Sequence, residues 1–404
     1  MLYPEQGHAE PVTGTPMKNS SITILCSDVS MNCLSRSLTL AEILAQKRQV
    51  QIIGFACDDK NLIWPPARSA QVPVIKLEYG LVRRWHMVKR EIKAIIDQSL
   101  LIICKPKLNS MGLALSAGYS PEECILDIND WELGLIIKTK RTDGKYNIVD
   151  LMSNLLSPNS ALLLRYYESR IKYFPHKIVN NRWLQQRYGG ELVYDVRDTD
   201  RLNPENYDKG SIRRELGLDD RQWIIFAGTP RWHKGVMNII YALDGIKGNE
   251  PPGLMLCGGR KHREVDDLIN VAGQTLGKSR FRYIPPYDRF EAGRYLAAAD
   301  IACIPSLLSS HAVGQVPTKL FEAMAMGLPL VTSAICDMPD LIEGIGIPVP
   351  PGDVGALGAA IEKLAKDPDL SMNMGRQARV RAVKQYSYQA AEPVINSLLE
   401  KVGN

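Results

Sequence analysis

Apolar residues along this chain fall into short runs separated by longer amphipathic stretches. The first half gives Ile22–Cys26, Val50–Phe55, Leu100–Cys104, Cys124–Ile128 and Ile178–Val179. The second half gives Trp223–Phe226, Gly253–Cys257, Phe281–Ile284, Ile301–Ile304, Leu330–Thr332 and Gly346–Val349. Runs this short and this apolar read as buried strands, and helical patterns lie between several of them. Strands alternating with helices predict parallel sheets covered on both faces. Two such series predict an α/β chain with two Rossmann-like sheets. The polar, turn-rich segment Asp198–Gly210 marks the boundary between them. The expected division is a loose tail over 1–19, an N-terminal domain over 20–200 and a C-terminal domain over 201–385. A last helix, about Gln389 to Lys401, lies within 386–404.

In open α/β sheets, ligands bind beyond the carboxyl ends of the strands. Two loops at such ends carry chemistry. After Ile304 comes a loop of small and polar residues. Pro317 then stands where a helix begins, and Gly327 and Pro329 stand where it ends. Exposed N–H groups and the positive end of a helix dipole suit a phosphate. Glu322 lies about one turn inside, where a carboxylate can accept two hydrogen bonds from a diol. A phosphate seat beside a diol acceptor suits a nucleotide. The second loop, Ala227–Gly235, follows Trp223–Phe226. Gly228 permits a tight turn, and Arg231 and Lys234 bring two cations into the next turn. Two anion seats on one sheet suggest a diphosphate.

Size and charge narrow the class. With 404 residues, two domains are expected, and a net charge of +5 is too mild and too dispersed for a nucleic-acid binder. No apolar run approaches the roughly 20 residues that span a bilayer, and the polar N-terminus lacks an apolar leader. The eight cysteines form no C-x-x-C pair, and Cys26, Cys104, Cys257 and Cys303 fall in or beside apolar runs. That pattern fits buried thiols in a reducing cytoplasm.

The two loops together resemble glycosyltransferase family 4, the retaining nucleotide-sugar transferases of GT-B fold. Gly228, Lys234 and Gly235 fit the G-x(5)-K-G spacing, and Glu322–Pro329 fits the E-A-M-A-x-G-x-P run. Ala298–Ser306 and Gly346–Asp353 are similar to the strands flanking that run. The resemblance covers the C-terminal half and is weaker in the N-terminal half. It implies two domains facing across a cleft, with the C-terminal helix packing back on the first. It implies Arg231, Lys234 and Glu322 as catalytic residues. The donor would be held by Gly228, Thr229, His311, Gly314, Gln315, Val316, Thr318, Lys319 and Glu322. It also implies a metal-independent reaction, so no cofactor is expected.

Two positions depart from the family pattern. Thr229 stands where an arginine is usual, with Arg231 displaced by two positions. Gly314 stands where a first glutamate is usual, so the segment Gly314–Lys319 is expected to contribute backbone amides and Lys319 instead.

The N-terminal half offers acceptor contacts by position alone: Asp28 and Asn32 after the first strand, and Asp127 and Asp130, with Glu132, after Cys124–Leu126. Asp198 and Asp200 form a D-x-D, but in a linker rather than at a strand end. Tyr79–Ile96 is a basic amphipathic segment that suits either solvent or an anionic membrane surface. The expected activity is transfer of a hexose from a nucleoside-diphosphate sugar to a saccharide or lipid-linked acceptor hydroxyl, in polysaccharide or glycan biosynthesis. A nucleotide-sugar epimerase and an inactive sugar-nucleotide scaffold are the alternatives on the same fold.

Overall fold

A computed structural model describes residues 21–57, 62–67, 69–78, 85–96, 99–136, 159–259 and 263–403. The tail over 1–19 and the first part of the basic segment, Tyr79–Arg84, lie outside them. The chain folds as two α/β lobes. The first holds β1 (Ser21–Cys26), β2 (Gln49–Ala56), β3 (Val74–Glu78), β4 (Leu100–Cys104), β5 (Cys124–Ile128), β6 (Lys177–Val179) and β7 (Glu191–Leu192). The second holds β8 (Trp223–Ala227), β9 (Gly253–Cys257), β10 (Phe281–Ile284), β11 (Ile301–Ile304), β12 (Leu330–Ser333) and β13 (Gly346–Val349).

Every strand anticipated from an apolar run is present. The unanticipated β3 and β7 are edge strands: β3 reads VIKLE and β7 has two residues, so neither forms an apolar run. Both sheets are parallel throughout. The orders are β3-β2-β1-β4-β5-β6-β7 and β10-β9-β8-β11-β12-β13. Strand order therefore reverses between β1 and β4 in one lobe and between β8 and β11 in the other. The crevice outside each reversal is where an open α/β sheet takes a ligand.

Each sheet is sealed on both faces. On one face of the first sheet, Ile22, Ile24, Ile52 and Ile102 pack with the helix Leu34–Ala45. The C-terminal helix Tyr388–Gly403 joins them through Tyr388, Ala391, Ile395, Leu398 and Leu399, one stripe at helical spacing. The helix that ends the sequence thus belongs to the first lobe's core. On the other face, Leu25, Ile53, Ile103 and Leu126 pack with the helices Trp85–Ile96 and Ala161–Arg170.

The chain passes between lobes at two adjacent strands of backbone. The Arg197 amide donates to Tyr386 O at 2.9 Å, and the Tyr388 amide donates to Arg197 O at 3.2 Å. Around this point Val193 and Val196 enter the first core while Tyr194 enters the second.

Candidate functional site

In the second lobe, the loops after β8 and β11 dock on each other. Gly235 adopts φ 66°, and a Cβ there would lie 1.9 Å from Pro305 O, so only glycine permits the contact. The Leu307 amide then donates to His233 O at 2.8 Å. This docking carries Lys234 to the reversal between β8 and β11. Gly228, at φ 125°, leaves room for Lys319, whose Nζ would lie 3.0 Å from a Cβ at that position. The Lys319 ammonium rests 3.7 Å from the centre of the Phe226 ring.

These two lysines are charged groups short of compensation. Burial lowers the Lys319 pKa well below the ordinary lysine value; Lys234 lowers it further, and Glu322 opposes both. Burial also lowers Lys234, with Asp130 opposing. Both sit beside the start of the helix Thr318–Ala325, whose N-terminal dipole adds positive potential. The sequence pattern places Pro317 at the first helical position; it is instead the cap, and Thr318 begins the helix. Arg231 and Thr229 are exposed at the rim. The side chain of His311 lies outside what the structure describes.

Glu322 receives a hydrogen bond from Arg197 Nε at 3.1 Å and keeps 23% of its side chain exposed. Arg197 is itself anchored by Thr39 Oγ1 and Val196 O. The nominated diol acceptor is therefore held by the inter-lobe strand. Gly258 and Gly259 both adopt φ 93° at the end of β9, and the Tyr287 hydroxyl pKa is raised by burial and then by Cys257 and Glu322.

The first lobe presents a different surface. Asp127 is buried and paired with Arg36 at 2.8 Å. Arg36 also donates to Val193 O, Tyr194 O and Asp195. This corrects the expectation that Asp127 faces an acceptor: the carboxylate anchors the inter-lobe strand instead. Asp28 accepts from the Ser30 amide at 2.9 Å and from the Cys57 amide at 3.3 Å, which shapes the loop after β1. Asn32 is exposed on that loop.

Asp130 does reach the cleft, and it joins the lobes. It accepts from Lys105 Nζ and from Gln315 Nε2. Lys105 also donates to Glu132, which Lys107 contacts at 2.7 Å. Lys105 adopts φ 75°, uncommon for a residue with a side chain, and a π-helical turn follows at Leu108–Gly112. Burial raises the Asp130 pKa against the pull of Lys105. Burial also pushes Glu132 up, but Lys105 and Lys107 outweigh it and hold the group below its ordinary value.

Gly314 sits against this network. A Cβ there would lie 2.8 Å from the Trp131 Cβ and 3.4 Å from Trp183, and Gly314 O accepts from Asn181 Nδ2 at 3.1 Å. The residue at position 314 is thus a point where the lobes touch, with no space for a glutamate. The Gln315 amide donates to Ala312 O at 3.3 Å, and the Val316 side chain lies in the second lobe's core. Thr318 Oγ1 donates to Asp195 at 3.1 Å. So the sequence's donor-loop residues split: Lys319, Lys234 and Glu322 converge with Gly228, while Gly314, Gln315 and Thr318 bind the first lobe. Sequence reasoning missed Arg36, Lys105, Trp131, Trp183 and Asp195. Only the buried Arg36 and Lys105, charges in or beside otherwise apolar elements, left a trace in the sequence.

Asp198 and Asp200 do not converge as metal ligands. Asp198 Oδ1 accepts from the amides of Asp200 and Arg201, and Asp200 accepts from Gln389. Among the described residues no cluster of three or more His, Cys, Asp or Glu side chains is placed to hold a metal ion. No described helix is long and apolar enough to cross a membrane.

Two parallel sheets with helices on both faces match the GT-B architecture. Residues 208–381 match the family model described as Glycosyl transferases group 1. Solved structures agree over the whole chain. Sucrose-phosphate synthase from Thermosynechococcus elongatus superposes with a TM-score of 0.70 at 16% identity, covering 95% of this chain and 99% of that one. Anabaena HepE, solved with UDP and glucose, gives 0.70 at 15% identity, covering 94% and 99%. Among curated proteins, this chain is 25% identical over 206 residues to an alpha-D-kanosaminyltransferase of Streptomyces kanamyceticus, covering 48% of this chain and 50% of that protein. It is 33% identical over 114 residues to the MMP alpha-(1->4)-mannosyltransferase of Mycolicibacterium hassiacum, covering 28% and 26%. The chain thus spans half or less of the length of these curated relatives.

Proposed function

We propose that this protein is a glycosyltransferase that moves a hexose from a nucleoside-diphosphate sugar to an acceptor hydroxyl, with retention of configuration. The observation that carries this reading is the uncompensated pair Lys234 and Lys319 at the β8–β11 reversal, beside a helix start. A diphosphate supplies the missing negative charge. Glu322, held by Arg197, would accept the ribose hydroxyls, and the base would lie against Gly258, Gly259 and Tyr287. The fold shared with the UDP-bound HepE structure supports this placement.

In the reaction, the bond from the anomeric carbon to the phosphate oxygen breaks and its electron pair leaves with the diphosphate. Lys234, Lys319 and Arg231 stabilise that charge as it grows. The acceptor oxygen bonds to the anomeric carbon on the same face, and its proton passes to the departing phosphate oxygen. No protein base is required. Asp127 is spent on Arg36, and Asp130 holds Lys105 and Gln315, which supports the reading. Asp130 would orient the acceptor. The reaction is read as metal-free, since the lysines occupy the charge-neutralising role and Asp198 and Asp200 are engaged elsewhere. We place the acceptor, a saccharide or a lipid-linked saccharide, on the first lobe.

Thermal-shift screening against UDP- and GDP-sugars, followed by a donor-hydrolysis assay, tests the proposal. Stabilisation by one donor with slow hydrolysis in wild type, and neither in Lys234→Ala, is expected. Epimerised sugar without any acceptor would replace the reading with an epimerase, and binding without turnover under any acceptor would leave a sensor. Unchanged hydrolysis in EDTA is expected; its loss would reinstate a metal.

A further inference from the structure

The helix Ala161–Arg170 and the 3-10 turn Ile171–Tyr173 carry an outer face that the catalytic reading does not use. Its inner residues Tyr167 and Ile171 pack into the first lobe's core. Its outer stripe exposes Leu162 by 60%, Tyr166 by 47% and Tyr173 by 52%. Three cations accompany them. Arg170 lies 4.9 Å from the Tyr166 ring centre and 5.7 Å from that of Tyr173, and Lys172 lies 5.1 Å from Tyr173. Arg165 is exposed between Leu162 and Tyr166. The one acid in 161–173 is Glu168, and it is paired with Arg187 at 2.8 Å.

A second positive face lies on the same side of the sheet. The helix Trp85–Ile96 buries Val88, Ile92 and Ile96 in that same core and exposes Lys89, Arg90 and Lys93. Both helices cover one face of one sheet, so their outer sides look the same way. The chain returns from each of them into a parallel strand, β4 or β6, so each runs from the cleft edge to the far edge. The helix Ala161–Arg170 also packs against Glu132–Ile136, which follows Asp130 and Trp131 at the cleft.

We propose that this face docks the first lobe on an anionic lipid bilayer. Tyr166, Tyr173 and Leu162 would enter the headgroup boundary, where tyrosine's apolar ring and polar tip are both satisfied. Arg165, Arg170, Lys172, Lys89, Arg90 and Lys93 would meet the acidic headgroups. The choice of occupant rests on charge complementarity: six exposed cations stand on these faces, and Glu168, the one acid in 161–173, is already paired with Arg187, which suits a polyanionic plane. This deepens the catalytic proposal by favouring a lipid-linked acceptor, but the docking does not depend on transfer.

The test is flotation of the full chain with phosphatidylcholine vesicles, with and without phosphatidylglycerol. Wild type is expected to float only with phosphatidylglycerol and to be released by high salt. The triple variant Arg165→Gln, Arg170→Gln, Lys172→Gln should lose on the order of 100-fold in vesicle partition, about one power of five per cation. Tyr166→Ser with Tyr173→Ser should weaken binding at every salt concentration. The changed residues are exposed, and thermal melts would show each variant folded. Absence of wild-type flotation, or equal flotation by the triple variant, overturns the proposal. So does concentration-dependent self-association that the tyrosine variants abolish, which would assign the face to protein contact. Donor binding read by thermal shift should be unaltered in all these variants, so failure of docking and failure of the catalytic reading are separable.

Discussion

The two lobes share a fold and differ in how they treat charge. At the edge of the first sheet, buried ions are matched within the lobe: Arg36 with Asp127 and Asp195, Lys105 with Asp130 and Glu132, Lys107 with Glu132. At the edge of the second, Lys234 and Lys319 repel each other and burial lowers the pKa of both. A lobe that neutralises itself needs no ion from outside. A lobe left with excess positive charge suits an anion. The contrast is the ground for proposing the diphosphate on the second lobe, while Asp130, one of the carboxylates where the lobes meet, is bound from both sides.

The comparison can be broken most forcefully at Arg36. Arg36→Met should destabilise the protein by about 3–5 kcal/mol, because Asp127 is left buried without a partner. The double variant with Asp127→Asn should recover much of that loss in a denaturant melt. A single variant as stable as wild type would show that the first lobe is not held by this pair. Next comes Lys234→Ala. Losing one preorganised charge at the leaving group costs on the order of 3 kcal/mol, or about 100-fold in turnover, with the melting temperature unchanged or raised. Turnover within a few-fold of wild type would remove the diphosphate assignment.

Gly314→Glu probes the contact between lobes. Forcing a side chain against Trp131 should cost about 1–3 kcal/mol as overpacking and should loosen the closed cleft. Unchanged stability and unchanged scattering radius would mean the lobes do not rest on that contact. Glu322→Gln should weaken binding of the free nucleoside diphosphate about tenfold, or roughly 1.4 kcal/mol, in calorimetry. Equal affinity would remove the diol role.

The smallest effect is a proton. In the ligand-free fold the Lys319 pKa lies below its unfolded value. Between those two values the unfolded chain holds more protons, so ligand-free stability should rise with pH through that window. A bound diphosphate would raise the pKa again, so binding should take up protons and weaken as pH climbs. Calorimetry in buffers of different ionisation heat would show this uptake, and proton release would contradict the electrostatic contrast.

Much of the second lobe was legible because its function rests on local geometry. Gly228 is needed for its positive φ and the space it leaves for Lys319, Gly235 for its close approach to Pro305 O, and both needs are written as glycine. The apolar strands were legible for the same reason: a strand buried on both faces must be apolar throughout. The first lobe's site was less legible. Asp127 and Asp130 look alike in sequence, three residues apart, yet one is sealed against Arg36 and the other bridges to Gln315. Which of them faces a ligand depends on partners 91 and 185 residues away, and no local pattern encodes that.

From the chain alone came the strands, the two-sheet architecture, the lysine-bearing loop with its glycines, and a helix after Tyr388. These follow from periodicity and from backbone conformations that few residues can adopt. The folded structure was needed to show that Gly314 is a contact between lobes, that the C-terminal helix completes the first core, and that one lobe's charges cancel while the other's do not. Those features depend on which distant residues meet, and burial sets the strength of a charge only after they have met.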